Sequence, residues 1–271
     1  MNNILFDFGP IKIYWYSLLI LTGIIIGYNL ALKEAKRIGL STSYMSDLCF
    51  YTIIFSIIGA RVYYVIFKFS DYKNNLLDIF KVWEGGLAIY GGVIAGIIFI
   101  IYYARKKEKS IIKTMDVLAP SLILGQAIGR WGNFFNQEAY GPVVTRSFLE
   151  NLHIPNFIIE GMYINGSYYQ PTFLYESIWC LIGFVILLII RYFAKNLKTG
   201  TIVSLYFIFY GIGRFYIESL RSDSLYLASF RVSQIVSIIL IIVGIIGLIF
   251  SFIKKDKYRK NIKEGKDDIK I

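Results

Sequence analysis

Apolar residues along this chain collect into seven runs, each near the roughly 20 residues that a helix rising about 1.5 Å per residue needs to cross a bilayer. They occupy residues 13–32, 45–67, 85–103, 115–135, 172–192, 201–220 and 232–253, with polar segments between them. The pattern predicts an all-α, polytopic integral membrane protein whose residues 1–253 form about seven transmembrane helices. The longest interruption, 136–171, combines aromatic residues, glycines, Pro142 and Pro155, a composition that suits a small folded cap. After Phe252 the chain becomes a basic tail, 254–271, expected to be disordered beside lipid headgroups.

The fourth run loses its apolarity towards its end. Gly125 to Gly141 reads GQAIGRWGNFFNQEAYG, and on a helix Gln126, Arg130, Asn133 and Gln137 recur along one face while Trp131, Phe134 and Phe135 point elsewhere. Glycines four residues apart, at Gly23 and Gly27, Gly92 and Gly96, and Gly125 and Gly129, suit close helix packing. The run EGGLAIYGG, Glu84 to Gly92, sets glycine pairs on either side of Tyr90 at a membrane–water boundary, where backbone can bend around a cavity.

Composition agrees with a membrane protein. Of 271 residues 56% are hydrophobic and 17% charged, with a mean hydropathy of +0.57, more apolar side chain than a water-soluble core can hide. The net charge of +11 does not point to nucleic acid, because the basic residues fall in short clusters between the apolar runs. Nineteen of the 29 lysines and arginines lie in one alternating set of segments and seven in the other, which places the N-terminus outside and the C-terminus in the cytoplasm, and the cap outside. The first run lacks a basic flank and a cleavage site, so an uncleaved span is expected.

Cys49 and Cys180 sit inside apolar runs as small hydrophobes, and His153 is the single histidine, which removes zinc motifs, Ser-His-Asp triads and Cys-His pairs from consideration. No nucleotide motif or internal repeat is evident, and no metal or other cofactor is expected.

Three arginines remain within or beside the spans: Arg61, Arg130 and Arg214. Each costs roughly 2.5–3.5 kcal/mol at mid-membrane and needs a partner, water or a bound anion. Glu138 follows Arg130, and Glu218 lies one turn after Arg214 on the face that carries Tyr210. Arg214 and Glu218 could simply neutralise each other, and Arg61 could snorkel or brace a neighbouring span. Alternatively Arg130 and Arg214, both near the outer ends of their spans, meet in one cavity and hold a phosphate by their planar forks. Asn133, Asn136 and Tyr16 would then add hydrogen bonds to headgroup hydroxyls. These features describe a protein that handles an anionic lipid or another amphiphilic anion; a transporter or channel for a lipid or small anion, and a scaffold without catalysis, stay open.

GRWGNFFNQEAYG, Gly129 to Gly141, resembles the signature of the bacterial prolipoprotein diacylglyceryl transferase family. The resemblance covers nearly the whole chain, through WYS at Trp15 to Ser17, GARVYYV at Gly59 to Val65, EGGLAIYGG, PTFLYES at Pro171 to Ser177, and YGIGRFYIESLR at Tyr210 to Arg221. It implies a transferase of the bacterial cytoplasmic membrane that moves the diacylglyceryl group of phosphatidylglycerol to the thiol of a lipobox cysteine in a prolipoprotein signal peptide. The product is a thioether, and glycerol phosphate leaves. By position, Arg130 would bind the lipid phosphate, Asn133, Glu138 and Gly141 would shape that site, and Arg214 with Glu218 would form a second cluster. Tyr16 and Tyr210 join the substrate-binding set, as do Asn136 and Arg61.

Two positions depart from the family pattern. Tyr90 stands where many relatives have a histidine considered as a general base, and Gln170 precedes Pro171 where histidine is also common. The chemistry then has to proceed without an imidazole. A thiol with a pKa near 8.5 is already a few per cent thiolate at neutral pH, and positive potential from Arg130 and Arg214 would raise that fraction and stabilise the departing phosphate. Glu138 is the first candidate to accept the thiol proton. Tyr90, with an ordinary pKa near 10, enters the catalytic set as an orienting or packing group more readily than as a base.

Overall fold

The computed structural model describes residues 3–9, 12–194, 196–224, 226–254 and 256–258, without the side chains of Glu84 and Leu227. In chain order the elements are β1 (Ile4–Asp7), β2 (Lys12–Tyr14), α1 (Trp15–Arg37), α2 (Thr42–Phe67), α3 (Ile89–Lys106), α4 (Ile111–Asn136), β3 (Val143–Val144), α5 (Arg146–Asn151), α6 (Asn156–Gly161), β4 (Tyr163–Ile164), β5 (Ser167–Tyr169), α7 (Thr172–Phe193), α8 (Thr201–Leu220), β6 (Tyr226–Leu227), β7 (Phe230–Arg231) and α9 (Val232–Lys254). Each expected span is a helix with nearly the expected bounds, and the chain is an all-α polytopic membrane protein. Among the described residues six helices are long and apolar enough to cross a membrane. The remaining expected span, the sixth in chain order, is α8, which has the length but carries Ser204, Tyr206, Tyr210, Arg214 and Glu218, and much of it is buried.

The chain forms two compact units, residues 32–114 and the remainder, with the boundaries inside α1 and α4. In the smaller unit α2 and α3 pack through small residues. A Cβ on Gly91 would lie 2.4 Å from the Gly59 carbonyl oxygen, and one on Gly96 would lie 2.7 Å from Ser56 Oγ. The expected third span begins late, at Ile89, because Gly85 and Gly86 adopt left-handed φ values of 90° and 69° and turn the chain before the helix.

In the larger unit α4 packs against α1, α7, α8 and the cap. It runs antiparallel to the first part of α1, with Gly23 against Gly125, Gly27 against Ser121 and the Tyr16 ring over Gly132. Trp15 stacks on Phe135 at 4.8 Å. It meets α7 through Ser177, which donates to the Ala127 carbonyl (2.9 Å) and accepts from Trp131 Nε1 (3.2 Å). α7 and α8 interlock aromatic rings over glycines, Trp179 on Gly213 and Phe209 on Gly183, and α8 lies against α9 through Gly211, Gly244 and Gly247. These are the close approaches by which helices associate where lipid is as apolar as their side chains.

The cap is folded as expected. β3, β5 and β4 form an antiparallel sheet in that order. The cap core of Leu149, Ile154, Ile158, Ile159, Met162 and Ile164 closes on Phe134 of α4 and Phe173 of α7. Arg146 spans the outside of the cap to Glu150 and Glu160, and these hydrogen bonds raise its pKa above the ordinary value.

Near the start of α4, Asp116 is fully buried and caps α8 from outside that helix, accepting from the amides of Gly200 (2.5 Å) and Val203 (2.8 Å). Gly200, at φ 96°, turns its amide towards the carboxylate. Pro120 has no N–H to offer the Asp116 carbonyl one turn back, and Arg191 of α7 supplies the missing donor, with Nη2 3.2 Å from that oxygen and 2.8 Å from the Val117 oxygen. Arg191 is itself buried. The tail expected to be disordered from its start begins with a docked piece: Tyr258 is fully buried, its amide donates to the Leu197 carbonyl (2.9 Å), and Thr199 donates to the Asp256 carbonyl (2.9 Å). Residues 259–271 lie outside the described residues. Asp116→Ala should lower stability by about 1–3 kcal/mol, and Asp116→Asn, which keeps one acceptor oxygen, by less. Thermal unfolding in detergent measures both.

Candidate functional site

The site grows from the C-terminal end of α4. Gln126, Arg130 and Asn133 share one face, as the spacing predicts. Gln126 Nε2 donates to the Tyr206 hydroxyl (3.1 Å). Arg130 Nη2 pairs with Glu176 Oε1 at 2.6 Å, and its Nη1 donates to Asn133 Oδ1 (3.3 Å). Asn133 Nδ2 then donates to Glu138 Oε1 at 2.8 Å, and Asn136 Nδ2 reaches the same oxygen at 3.4 Å. Gln137 does not extend the stripe. The helix ends at Asn136, Gln137 takes φ 50°, and its side chain donates to the Gly161 carbonyl (3.0 Å) in the cap.

Glu138 owes its position to the turn that follows. Its neighbours Gln137 and Ala139 are both left-handed, at φ 50° and 57°, a conformation non-glycine residues hold only when their surroundings impose it. The Thr172 hydroxyl donates to the Ala139 carbonyl, Ser222 donates from both amide and hydroxyl to the Tyr140 carbonyl, and the Gly141 amide donates to the Gln170 carbonyl (2.9 Å). A side chain at 141 would collide, its Cβ 2.8 Å from Gln170 Cβ, so glycine is what lets the two strands of backbone close. Glu138 is thereby exposed into a cavity of about 370 Å³ lined by Asn3, Tyr14, Tyr16, Ser17, Asn136 and Glu138. Among the described residues nothing donates to its second carboxylate oxygen.

The second arginine arrives from α8. Arg214 Nη1 donates to Glu176 Oε2 (3.0 Å), and its Nη2 pairs with Glu218 Oε2 (2.5 Å) and donates to Ser233 Oγ (3.2 Å) of α9. Tyr210 lies beside Glu176 and both guanidiniums, stacked on Tyr206 at 5.9 Å. The two guanidiniums do converge, but through a carboxylate that sequence reasoning missed. Glu176, 3% exposed, gives one oxygen to each. Its signal was legible: it is the only acidic residue in α7, and a carboxylate inside a span is as costly as the arginines that were singled out. Two guanidiniums and two carboxylates cancel formally, so the net positive potential expected here is offset within the cluster.

Arg61 and Tyr90 belong to the smaller unit. Arg61, 6% exposed, donates from Nε to the Ile79 carbonyl (2.8 Å), from Nη1 to those of Gly85 (2.8 Å) and Gly86 (3.1 Å), and from Nη2 to those of Asp78 (2.6 Å) and Lys81 (3.4 Å). All five of its N–H groups are used by backbone, and in this geometry Arg61 holds the segment between α2 and α3. Tyr90 is the second residue of α3 and half-buried.

Residues 3–250 match the prolipoprotein diacylglyceryl transferase family. The chain is 50% identical over 260 residues to the phosphatidylglycerol–prolipoprotein diacylglyceryl transferase of Staphylococcus xylosus, covering 96% of this chain and 91% of the relative. It is 51% identical over 250 residues to that of Staphylococcus haemolyticus, covering 92% and 88%, and 46% identical over 271 residues to that of Listeria monocytogenes serotype 4b, covering 97% of each. With agreement of this extent added to the paired arginines and the Glu138 turn, the chain belongs to the prolipoprotein diacylglyceryl transferase family.

Proposed function

We propose that this protein transfers the diacylglyceryl group of phosphatidylglycerol to the thiol of the lipobox cysteine in a prolipoprotein signal peptide, the first step of bacterial lipoprotein maturation. The observation that carries the site assignment is the unbroken polar chain Glu138–Asn133–Arg130–Glu176–Arg214–Glu218, which joins an open cleft to two guanidiniums aimed from different helices. A sulfur–carbon bond forms at the glyceryl methylene while its bond to the phosphate oxygen breaks. The thiol gives up its proton, and the phosphodiester monoanion departs as a glycerol phosphate dianion. Arg130 and Arg214 stabilise that added charge as oriented N–H donors in a site of low dielectric. Glu138, exposed into the cleft with one oxygen uncommitted, accepts the thiol proton. Tyr16 and Asn136 meet the headgroup hydroxyls in the cleft, Tyr210 borders the phosphate, Asn133 couples Arg130 to Glu138, Gly141 keeps the turn closed and Glu218 holds Arg214.

The excess of lysine and arginine in alternating segments supports an N-terminus outside and a C-terminus in the cytoplasm, with the cap at 136–171 and the site on the outer side of the bacterial cytoplasmic membrane. The helices of residues 1–253 form the catalytic domain, and 254–271 is a basic cytoplasmic tail.

Incubation of purified protein with labelled phosphatidylglycerol and a lipobox peptide should yield thioether-linked product and glycerol phosphate, and none with a Cys→Ser peptide. Arg130→Ala and Arg214→Ala should each lower turnover by at least about 100-fold while leaving folded protein in the membrane; full activity in either defeats the clamp. Tyr90→Phe should keep turnover near wild type, since loss there without a binding defect would return the phenol to proton transfer. Glu138→Gln should be impaired at neutral pH and recover part of its rate as pH rises towards about 8.5, where the thiol ionises unaided. A flat ratio to wild type across that range would remove Glu138 as the proton acceptor.

A further inference from the structure

We infer that Glu176 is a positioning residue for the transfer step, the shared counter-ion that fixes the spacing and orientation of Arg130 and Arg214. The inference rests on the clamp reading above and adds a residue to it. Among the described residues Glu176 supplies the only carboxylate paired with Arg130, and it touches Arg214 with its other oxygen. The three side chains come from α4, α7 and α8, so the carboxylate sets how three separate helices present their charges to a ligand. Without it, two guanidiniums of like charge would face each other in a poorly screened site, Arg130 retaining its neutral partners Asn133 and Tyr210 and Arg214 its partners Glu218 and Ser233.

Glu176 also sets the charge that the lipid meets. With it ionised the four-residue cluster is formally neutral; with glutamine in its place the cluster is formally +1. A ground-state phosphodiester monoanion would then be attracted at least as strongly, while the guanidinium geometry matched to the departing dianion would be lost. Positioning therefore has a kinetic signature that a simple packing role lacks: kcat falls and KM for phosphatidylglycerol does not rise.

The test compares wild type, Glu176→Gln, Glu176→Asp and Arg130→Ala in detergent, with thermal unfolding recorded alongside kcat and KM. Glu176→Gln is expected to lower kcat by about 100-fold with KM unchanged or reduced. Glu176→Asp keeps the charge but is one methylene too short to serve both arginines, and it should fall between Gln and wild type. If Glu176→Gln does not fold, the Asp variant decides: a reduced kcat at unchanged KM supports the assignment, and wild-type kinetics overturn it. A raised KM with wild-type kcat in Glu176→Gln overturns it too. Loss of transfer in Arg130→Ala beside a fully active Glu176→Gln would sink this inference alone, whereas an active Arg130→Ala would sink the clamp on which it rests.

Discussion

An ion inside a bundle of helices cannot stand alone. Removing a carboxylate or guanidinium from water costs several kcal/mol even after relaxation, and only close pairing with further hydrogen bonds offsets it. Arg130, Glu176, Arg214 and Glu218 meet that demand together, each touching at least one opposite charge at 2.5–3.0 Å. Because the four come from three helices, satisfying them fixes helix register. A shift of α7 by a single residue would rise about 1.5 Å and turn Glu176 away from both arginines.

The same helices are pinned again nearer their other ends. Asp116 lies fourteen residues before Arg130 on α4, about 21 Å along a straight helix. There it caps α8 while Arg191 of α7 serves the carbonyl that Pro120 leaves without an amide. Between the two polar clamps close steric contacts, Phe209 over Gly183, Trp179 over Gly213 and Ile123 against Gly183, stand beside neutral hydrogen bonds such as those from Ser177 to the Ala127 carbonyl and from Gln126 to Tyr206. Lipid tails offer helices no hydrophobic reason to prefer one another, so close packing sets how near they come and the buried polar groups set where along their length they stop. A site that must aim two guanidiniums with sub-ångström consistency depends on both.

Helix positions were legible because membrane spans advertise themselves by length and apolarity, and the cap was legible from its aromatic and proline content. The short hairpins β1–β2 and β6–β7 were not, since strands of two to four residues carry too few positions to show a period. Arg130, Asn133 and Arg214 stood out as candidates because charge and amide groups inside an apolar run are costly, and Glu138 because it follows Arg130. Glu176 carries the same cost, but its partners lie on two other helices, a pairing that sequence spacing does not display. Arg61 passed the same cost test and proved to be held by backbone, for its acceptors are carbonyls of residues 78–86 and any sequence can supply a carbonyl. Gln137 kept the helical spacing on paper and left it in space, because the helix ends one residue earlier in a left-handed turn.

That turn and the neutral cluster bear jointly on how the reaction can be driven. A phosphodiester enters with one negative charge and its monoester product leaves with about two, so a strongly cationic clamp would grip substrate in the ground state and product harder still. In this structure the arginines bring their own carboxylates, which under the proposed reaction would moderate attraction for the resting lipid. In the proposed reaction the proton released by the thiol goes elsewhere, to Glu138, a carboxylate held one asparagine away from Arg130 at the mouth of the cleft. Placing Glu138 on a left-handed turn outside the helix keeps it exposed, while Glu176 and Glu218 stay buried against their arginines. Burial thus divides the labour among three carboxylates that the amino-acid sequence presents as chemically alike.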